Sequence, residues 1–298
     1  EKEPNQIYSE KIEAKLESLS MEDKKIASSH DLKETKQDSN NLINKKTKYE
    51  ELISKIDPRI LEAWKNEQNA LKSKLIETDF LDFSVEADKE GKFPTKICGV
   101  DISASKKNPD KAVVGIVVVS IKDFSIIYED YELITMTEPY VPGFLAFREV
   151  DHITKLLNKI KNTEFYPEVI LVDGNGILHS NRFGLGCHLG VTLNTTTIGC
   201  SKRVFAVDGI TSKKVQTLSK ENLHKKGDFI ELKGNSGSVW GVALRSTDLA
   251  YIPIIVSIGH MVSLESCIKV IQKSTNYRVP ESIRIADLTT RFLLRHYE

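Results

Sequence analysis

The run AVVGIVVVSI at residues 112–121 constrains the fold more than any other stretch of this chain. It carries no charge and is dominated by β-branched side chains, which fit a pleated strand better than a helix. Polar residues do not alternate along it, so the strand is a buried one. ICGVDIS (97–103) precedes it and SIIYEDYELI (125–134) follows. Asn-Pro-Asp at 108–110 and Lys122-Asp123 suit the turns between them, so the spacing predicts an antiparallel meander of three strands.

Beyond the meander the pattern changes. VDHITKLLNKI (150–160) predicts a helix, EVILVDGNG (168–176) a buried strand, and a short helix follows His179. Further strands are predicted within TTTIGCSKRVF, SVWGVALRS and IPIIVSIGH, then a helix over SLESCIKVIQK. This order describes an α/β fold, a mixed β-sheet flanked by helices. Upstream, Asp57-Pro58 has the form of an N-cap followed by an N1 proline. Leu61, Trp64, Leu71 and Leu75 then recur at helical spacing, predicting one amphipathic helix to about Thr78 with Trp64 in the core. Residues 1–55 mix charges of both signs without a strong apolar face and read as a flexible extension to a folded domain over 56–298.

Composition narrows the function classes. The 298 residues include 42 Lys+Arg and 42 Asp+Glu, so no global field draws polyanions, and a nucleic-acid contact requires a local basic patch. Arg148, Arg182, Lys202, Arg203, Lys213 and Lys214 are candidates, each equally readable as a solvated charge. The four cysteines are widely spaced, which argues against a zinc site and fits reduced thiols, with Cys98 and Cys200 in predicted strands. No apolar run reaches membrane-spanning length and no leader-like segment opens the sequence, so no membrane partner is expected. A monomer in the cytoplasm, the nucleus or the nucleolus is the corresponding expectation.

Two acids interrupt predicted buried strands: Asp101 after Ile97–Val100, and Asp173 after Val169–Val172. A carboxylate there is costly unless something compensates it, and Mg²⁺ does so with few protein ligands beside a phosphate. If the strands are neighbours the two acids meet, and Glu149 at the end of PYVPGFLAFRE (139–149) is placed to join them. Each acid alone reads equally as a cap or a turn former. PYVPG alone reads equally as an ordinary proline-rich turn with its tyrosine packed down.

GVDIS, PYVPGFLAFRE, LVDGNGILHSNRFG, CHLG, TIGCSK and IGHMVSLES, in that order over about residues 57–290, resemble the Endonuclease V family, and its eukaryotic branch more than its bacterial one. The first fifty-odd residues lie outside the resemblance. It implies a ribonuclease-H-like fold and Mg²⁺-dependent cleavage, with Mn²⁺ as a substitute, of RNA containing inosine or DNA containing deoxyinosine. The implied cut falls at the second phosphodiester 3′ to the modified base, leaving 3′-hydroxyl and 5′-phosphate ends. Asp101, Glu149 and Asp173 match the family's catalytic, metal-holding acids. His260 matches a histidine near the metal, Lys202 a lysine facing the scissile phosphate or the attacking water, and His179 a histidine at the mouth of the base pocket.

The resemblance implies that Pro139, Tyr140, Val141 and Pro142 form a wedge that props open the stack while the target base is extruded. The prolines fix φ, so little loop entropy remains to be lost on insertion. Gly143, Leu145 and Gly174 would line the pocket with main-chain groups, matching a purine with a C6 carbonyl and an N1–H but no exocyclic amine. Eukaryote-like segments and the charged extension favour RNA, whereas the second proline of PYVPG is also found in the bacterial motif and leaves DNA open. The rivals are an inosine reader without turnover and another nuclease of the same fold, such as a junction resolvase.

Overall fold

Eight strands form one sheet in the order β3-β2-β1-β4-β5-β8-β7-β6 in this computed structural model, which describes Ser54 and residues 56–80 and 93–297. The strands are β1 (Lys96–Ala104), β2 (Lys111–Ser120), β3 (Ile126–Thr135), β4 (Val169–Val172), β5 (Thr197–Ser201), β6 (Phe229–Lys233), β7 (Val239–Leu244) and β8 (Ile254–His260). The predicted meander is present: β1 pairs antiparallel with β2, and β2 with β3. β1, β4 and β5 run parallel at the centre, and β8, β7 and β6 complete the sheet antiparallel. The charged extension lies outside the described residues, Ser54 apart.

The sheet is covered on both faces because its central strands are apolar on both. Cys98, Val100, Ile170 and Val172 meet Val150, Ile153 and Leu157 of α2 (Leu145–Ile160), and Leu185 and Leu189 of α3 (Leu185–Leu193). Ile97, Val169 and Leu171 belong instead to the cluster holding Val270 and Ile271 of α5 (Leu264–Lys273) and Ile283 of α6 (Glu281–Tyr297). α6, which had no expectation from the sequence, lies against β1 and β2. A Cβ on Gly99 would stand 2.2 Å from the Ser282 carbonyl carbon, so only glycine admits the helix this close. α4 (Ser212–Asn222) and β6 were likewise not expected, and they enclose a smaller cluster around Ile210, Val215, Leu232 and Trp240.

The first helix is shorter than its hydrophobic stripe suggests. α1 spans Pro58–Lys72, capped by Asp57, and stops six residues before Thr78. Downstream of it the backbone is satisfied across the molecule instead: Ile76 N–H donates to His260 Nδ1 at 3.2 Å, and the Ile76 carbonyl accepts from Met261 N–H at 2.8 Å. Trp64 is buried as expected, stacked on Phe147 of α2 with centroids 5.2 Å apart. All four cysteines are free and buried. Among the described residues no helix is long and apolar enough to cross a membrane.

Candidate active site

The parallel register delivers Asp101 and Asp173 to one place. Val100 pairs with Val172, so the next residue on each chain is an acid, and Asp173 N–H still donates to the Val100 carbonyl at 3.3 Å. Side chains alternate along a strand, and both acids share the parity of Gly99 and Leu171, the face that α6 covers. α6 adds Asp287. One carboxylate oxygen from each of Asp101, Asp173 and Asp287 lies within 4.8 Å of the others.

Their surroundings are built around negative charge. Asp101 Oδ2 accepts from Thr290 Oγ1 at 2.7 Å and from Ser103 Oγ at 3.2 Å. Burial, then repulsion from Asp287 and Asp173, raises the Asp101 carboxyl to about 6. Lys202, just beyond β5, donates to Asp173 Oδ2 at 2.7 Å and Asp287 Oδ2 at 3.0 Å. Burial works against the lysine's charge, but the two carboxylates outweigh it and hold the pKa above its ordinary value. Arg291, one turn along α6, grips Asp287 Oδ1 through Nε at 2.7 Å. An all-oxygen cluster of three close carboxylates, two of which repel the buried Asp101, suits a hard divalent cation.

Glu149 approaches from the other layer. It sits on α2, which covers the opposite face of the sheet, and it is not one of the three clustered acids. It is nevertheless within electrostatic reach: burial, then repulsion from Asp101, lifts its carboxyl to about 8, with Arg148 opposing the shift and Asp173 adding to it.

The PYVPG segment is a tight turn. Phe144 N–H donates to the Val141 carbonyl at 2.9 Å, Pro142 stands at the second position and Gly143 at the third, with φ +87°. Those are marks of a type II turn, in which the third residue needs positive φ. Pro139 and Tyr140 are exposed, Tyr140 by 53%, whereas Val141 is 1% exposed. The expectation for Val141 is therefore corrected: it anchors the turn in the protein, and only its neighbours can reach a substrate. Gln68 of α1, itself buried, ties the turn down. Its Nε2 donates to the carbonyls of Gly143 and Phe183, both at 3.1 Å, and its Oε1 accepts from Asn181 at 2.9 Å.

Leu145 opens α2, which has no side-chain cap, so its first N–H groups have no partner within the helix. Gly174 directly follows Asp173, and a Cβ there would lie 3.3 Å from Leu185 Cδ2. His179 is buried against Phe205, accepts from Asn181 N–H at 3.4 Å, and is held neutral by burial, its pKa near 4.

Two other expectations are corrected. His260 pairs with Thr197, which pairs with Ile170, three residues short of Asp173. That displaces it by about 10 Å along the strands from Asp173, two strands sideways from Asp173 and three from Asp101. It is buried and spends Nδ1 on Ile76, a structural role. Arg148 does not face a phosphate site: it donates to the carbonyls of Glu138 and Pro109, both at 2.6 Å, bracing the start of the turn. Asp287 is the residue missed, because an acid inside an amphipathic helix looks like any solvated one. Of the remaining basic candidates, Arg182 pairs with Glu77 at 3.0 Å, and Arg203, Lys213 and Lys214 are exposed.

The fold and its motifs have counterparts. A model of the Endonuclease V family matches residues 81–288. Endonuclease V of Mus musculus is 38% identical over 79% of this chain and 70% of its own length, and that of Homo sapiens 36% over 79% and 83%. The crystal structure of the catalytic domain of human Endonuclease V superimposes with a TM-score of 0.77 at 34% identity, covering 81% of this chain and 98% of that one. Ciona intestinalis Endonuclease V, solved with a 24mer DNA containing an inosine followed by a ribo-adenosine, gives 0.72 at 31% identity, covering 81% and 100%. The shared ribonuclease-H-like sheet, the extent of the match and these identities together establish that the chain belongs to the Endonuclease V family.

Proposed function

We propose that the protein is a Mg²⁺-dependent endonuclease, with Mn²⁺ able to substitute, that cuts single-stranded RNA at the second phosphodiester 3′ to inosine, leaving 3′-hydroxyl and 5′-phosphate ends. The observation that carries this reading is the cluster of Asp101, Asp173 and Asp287, with Lys202 against it, toward the C-terminal ends of the central strands β1 and β4 and within electrostatic reach of Glu149. When bound, a divalent cation neutralises phosphate charge and makes a water acidic enough to attack. Asp101, Asp173 and Asp287 would hold it. Lys202 keeps a positive charge where the scissile phosphate arrives, and the phosphate in turn relieves Asp173 and Asp287 of the lysine. Glu149, lifted to about 8, changes protonation near neutral pH and is suited to passing a proton to or from the reacting oxygens. In this reading residues 56–298 are the catalytic domain, residues 1–55 are an appended extension, and the enzyme works as a monomer in the cytoplasm or nucleus.

The base is read by the main chain. Tyr140, on a turn with little entropy left to lose, takes the place of the extruded base. The Leu145 N–H at the uncapped start of α2 matches the C6 carbonyl of hypoxanthine, and Gly143 and Gly174, lacking a Cβ, let the main chain approach the base edge closely enough to crowd an exocyclic amine. Neutral His179, whose Nδ1 accepts from Asn181 N–H, adds an Nε2–H donor. A preference for RNA over DNA requires a contact to the 2′-hydroxyl, and the Ciona relative was solved with a DNA strand carrying a ribo-adenosine after the inosine.

The test is cleavage of matched single-inosine oligomers, with ribose or deoxyribose at and beside the inosine, in Mg²⁺ and in EDTA. Mg²⁺-dependent cutting of the ribose strands, at least tenfold faster than of the deoxyribose strands, is expected. Equal rates would remove the RNA preference, and binding without cutting would make the protein a reader of inosine.

A further inference from the structure

The three most exposed large apolar side chains among the described residues are near neighbours on one loop: Leu249 at 74%, Tyr251 at 77% and Ile252 at 60%. Folding gains nothing from leaving them in water, and adjacent exposed apolar residues mark a contact surface. Their place in the fold names the surface. They lie between β7 and β8, and the register pairs Leu244 with Ile254 and Ser201 with Ile255. The loop therefore leaves the sheet at the edge where β5 runs on into Lys202. Arg278 fixes that adjacency: Nε donates to the Ile252 carbonyl at 3.1 Å, and one terminal nitrogen donates to the carbonyls of Lys202 at 3.0 Å and Pro253 at 3.2 Å.

On its other side the loop meets a basic segment. Lys226 N–H donates to Asp248 Oδ1 at 2.6 Å, and Lys225 N–H to Asp228 Oδ2 at 2.9 Å, so both acids are occupied by main chain while both lysines are exposed. The Arg245 guanidinium lies over the Tyr251 ring, 5.5 Å from its centroid, stiffening an aromatic side chain that is otherwise in solvent. From Lys202 outward the surface thus alternates cation, apolar or aromatic side chain, and cation.

We infer that the Leu249–Ile252 loop, with Lys225 and Lys226 behind it, is a track for the single strand flanking the cut, on which Tyr251 stacks an unpaired base. The inference rests on the nuclease reading above. A sequence-neutral strand site combines an aromatic platform with cations along the backbone, which is the chemistry on this surface. A protein partner would account for the apolar tip, but not for the basic segment or the continuity with Lys202.

The test compares the parent with Leu249→Ser/Tyr251→Ala/Ile252→Ser and with Tyr251→Phe. Fluorescence anisotropy in EDTA measures affinity for single-stranded RNA of fixed inosine position, with long or minimal flanks on either side, and for the same strands without inosine. The parent should bind at least one long-flank strand about tenfold more tightly than the minimal one. The triple variant should lose that gain while cutting the minimal substrate at the parent's rate in Mg²⁺. Tyr251→Phe should keep the gain, since the ring remains. An unchanged flank gain in the triple variant overturns the inference. So does a parent that dimerises through this loop, seen by light scattering as an assembly the triple variant loses while its strand affinity is unaltered. Flank-dependent binding of inosine-free strands is read without cleavage, so a failure of the nuclease reading is separable from a failure of the track.

Discussion

Asp287 shows how little a single residue discloses about its task. Nothing around it in ESIRIADLTTRF separates it from the charged face of any helix, yet its carboxylate closes the cluster that Asp101 and Asp173 begin. Asp287→Asn keeps the size and polarity but removes the charge, and it frees Lys202 to pair with Asp173 alone. Cleavage should fall by about 100-fold or more, with weaker divalent-cation binding by calorimetry and strand affinity in EDTA little changed. A variant that binds the cation and cuts like the parent would leave the site to Asp101, Asp173 and Glu149. Arg148 makes the complementary point. A basic residue beside a catalytic loop reads as a phosphate contact, but each of its three side-chain nitrogens donates to backbone or to Met136 within the protein.

At the scale of elements, α1 and α6 hold the site together although neither belongs to the central run of strands. α1 lies upstream of the stretch matched by the family model, yet Gln68 joins the Gly143 turn to Phe183 and Asn181. α6 reaches Asp101 only because it nests on Gly99. A methyl group there would collide with the Ser282 backbone, which cannot swing aside as a side-chain tip can. Gly99→Ala should therefore cost about 3 kcal/mol in denaturant unfolding. It should also depress cleavage in the fraction that still folds, since Thr290 and Asp287 move with the helix. Wild-type stability would mean that the helix packs more loosely on β1 than 2.2 Å implies.

Across the whole molecule, the site's charge sets the response to pH. Burial and neighbouring acids raise Asp101 to about 6 and Glu149 to about 8, so the folded, cation-free protein binds protons that the unfolded chain has released. Stability from these groups is complete below their unfolded values and is lost as pH rises through the folded ones. His179 and His188, both lowered to about 4 by burial, act oppositely and cost stability as pH falls below their ordinary range. Above that range the two carboxyls act first, and toward pH 8.5 the four buried cysteine thiols, all raised by burial, lower stability in the same direction. In EDTA the Tm should drop by a few degrees between about pH 6.5 and 8.5, and Mg²⁺ should raise it more at the upper end, because the cation displaces protons already leaving. A Tm that is flat in EDTA and a cation effect independent of pH would contradict this linkage. The sequence alone determined seven of the eight strands, the acids on or just beyond two of them and the stiff turn, because period, β-branching and proline act within a few residues of chain. It set Asp101 and Asp173 on strands but did not say that those strands were neighbours in register. Only the tertiary structure brought α6 onto β1, carried His260 away from the acids and moved Arg148 from substrate to scaffold. Each of those outcomes depends on which elements pack together, and packing energy depends on distance in space, not on position along the chain.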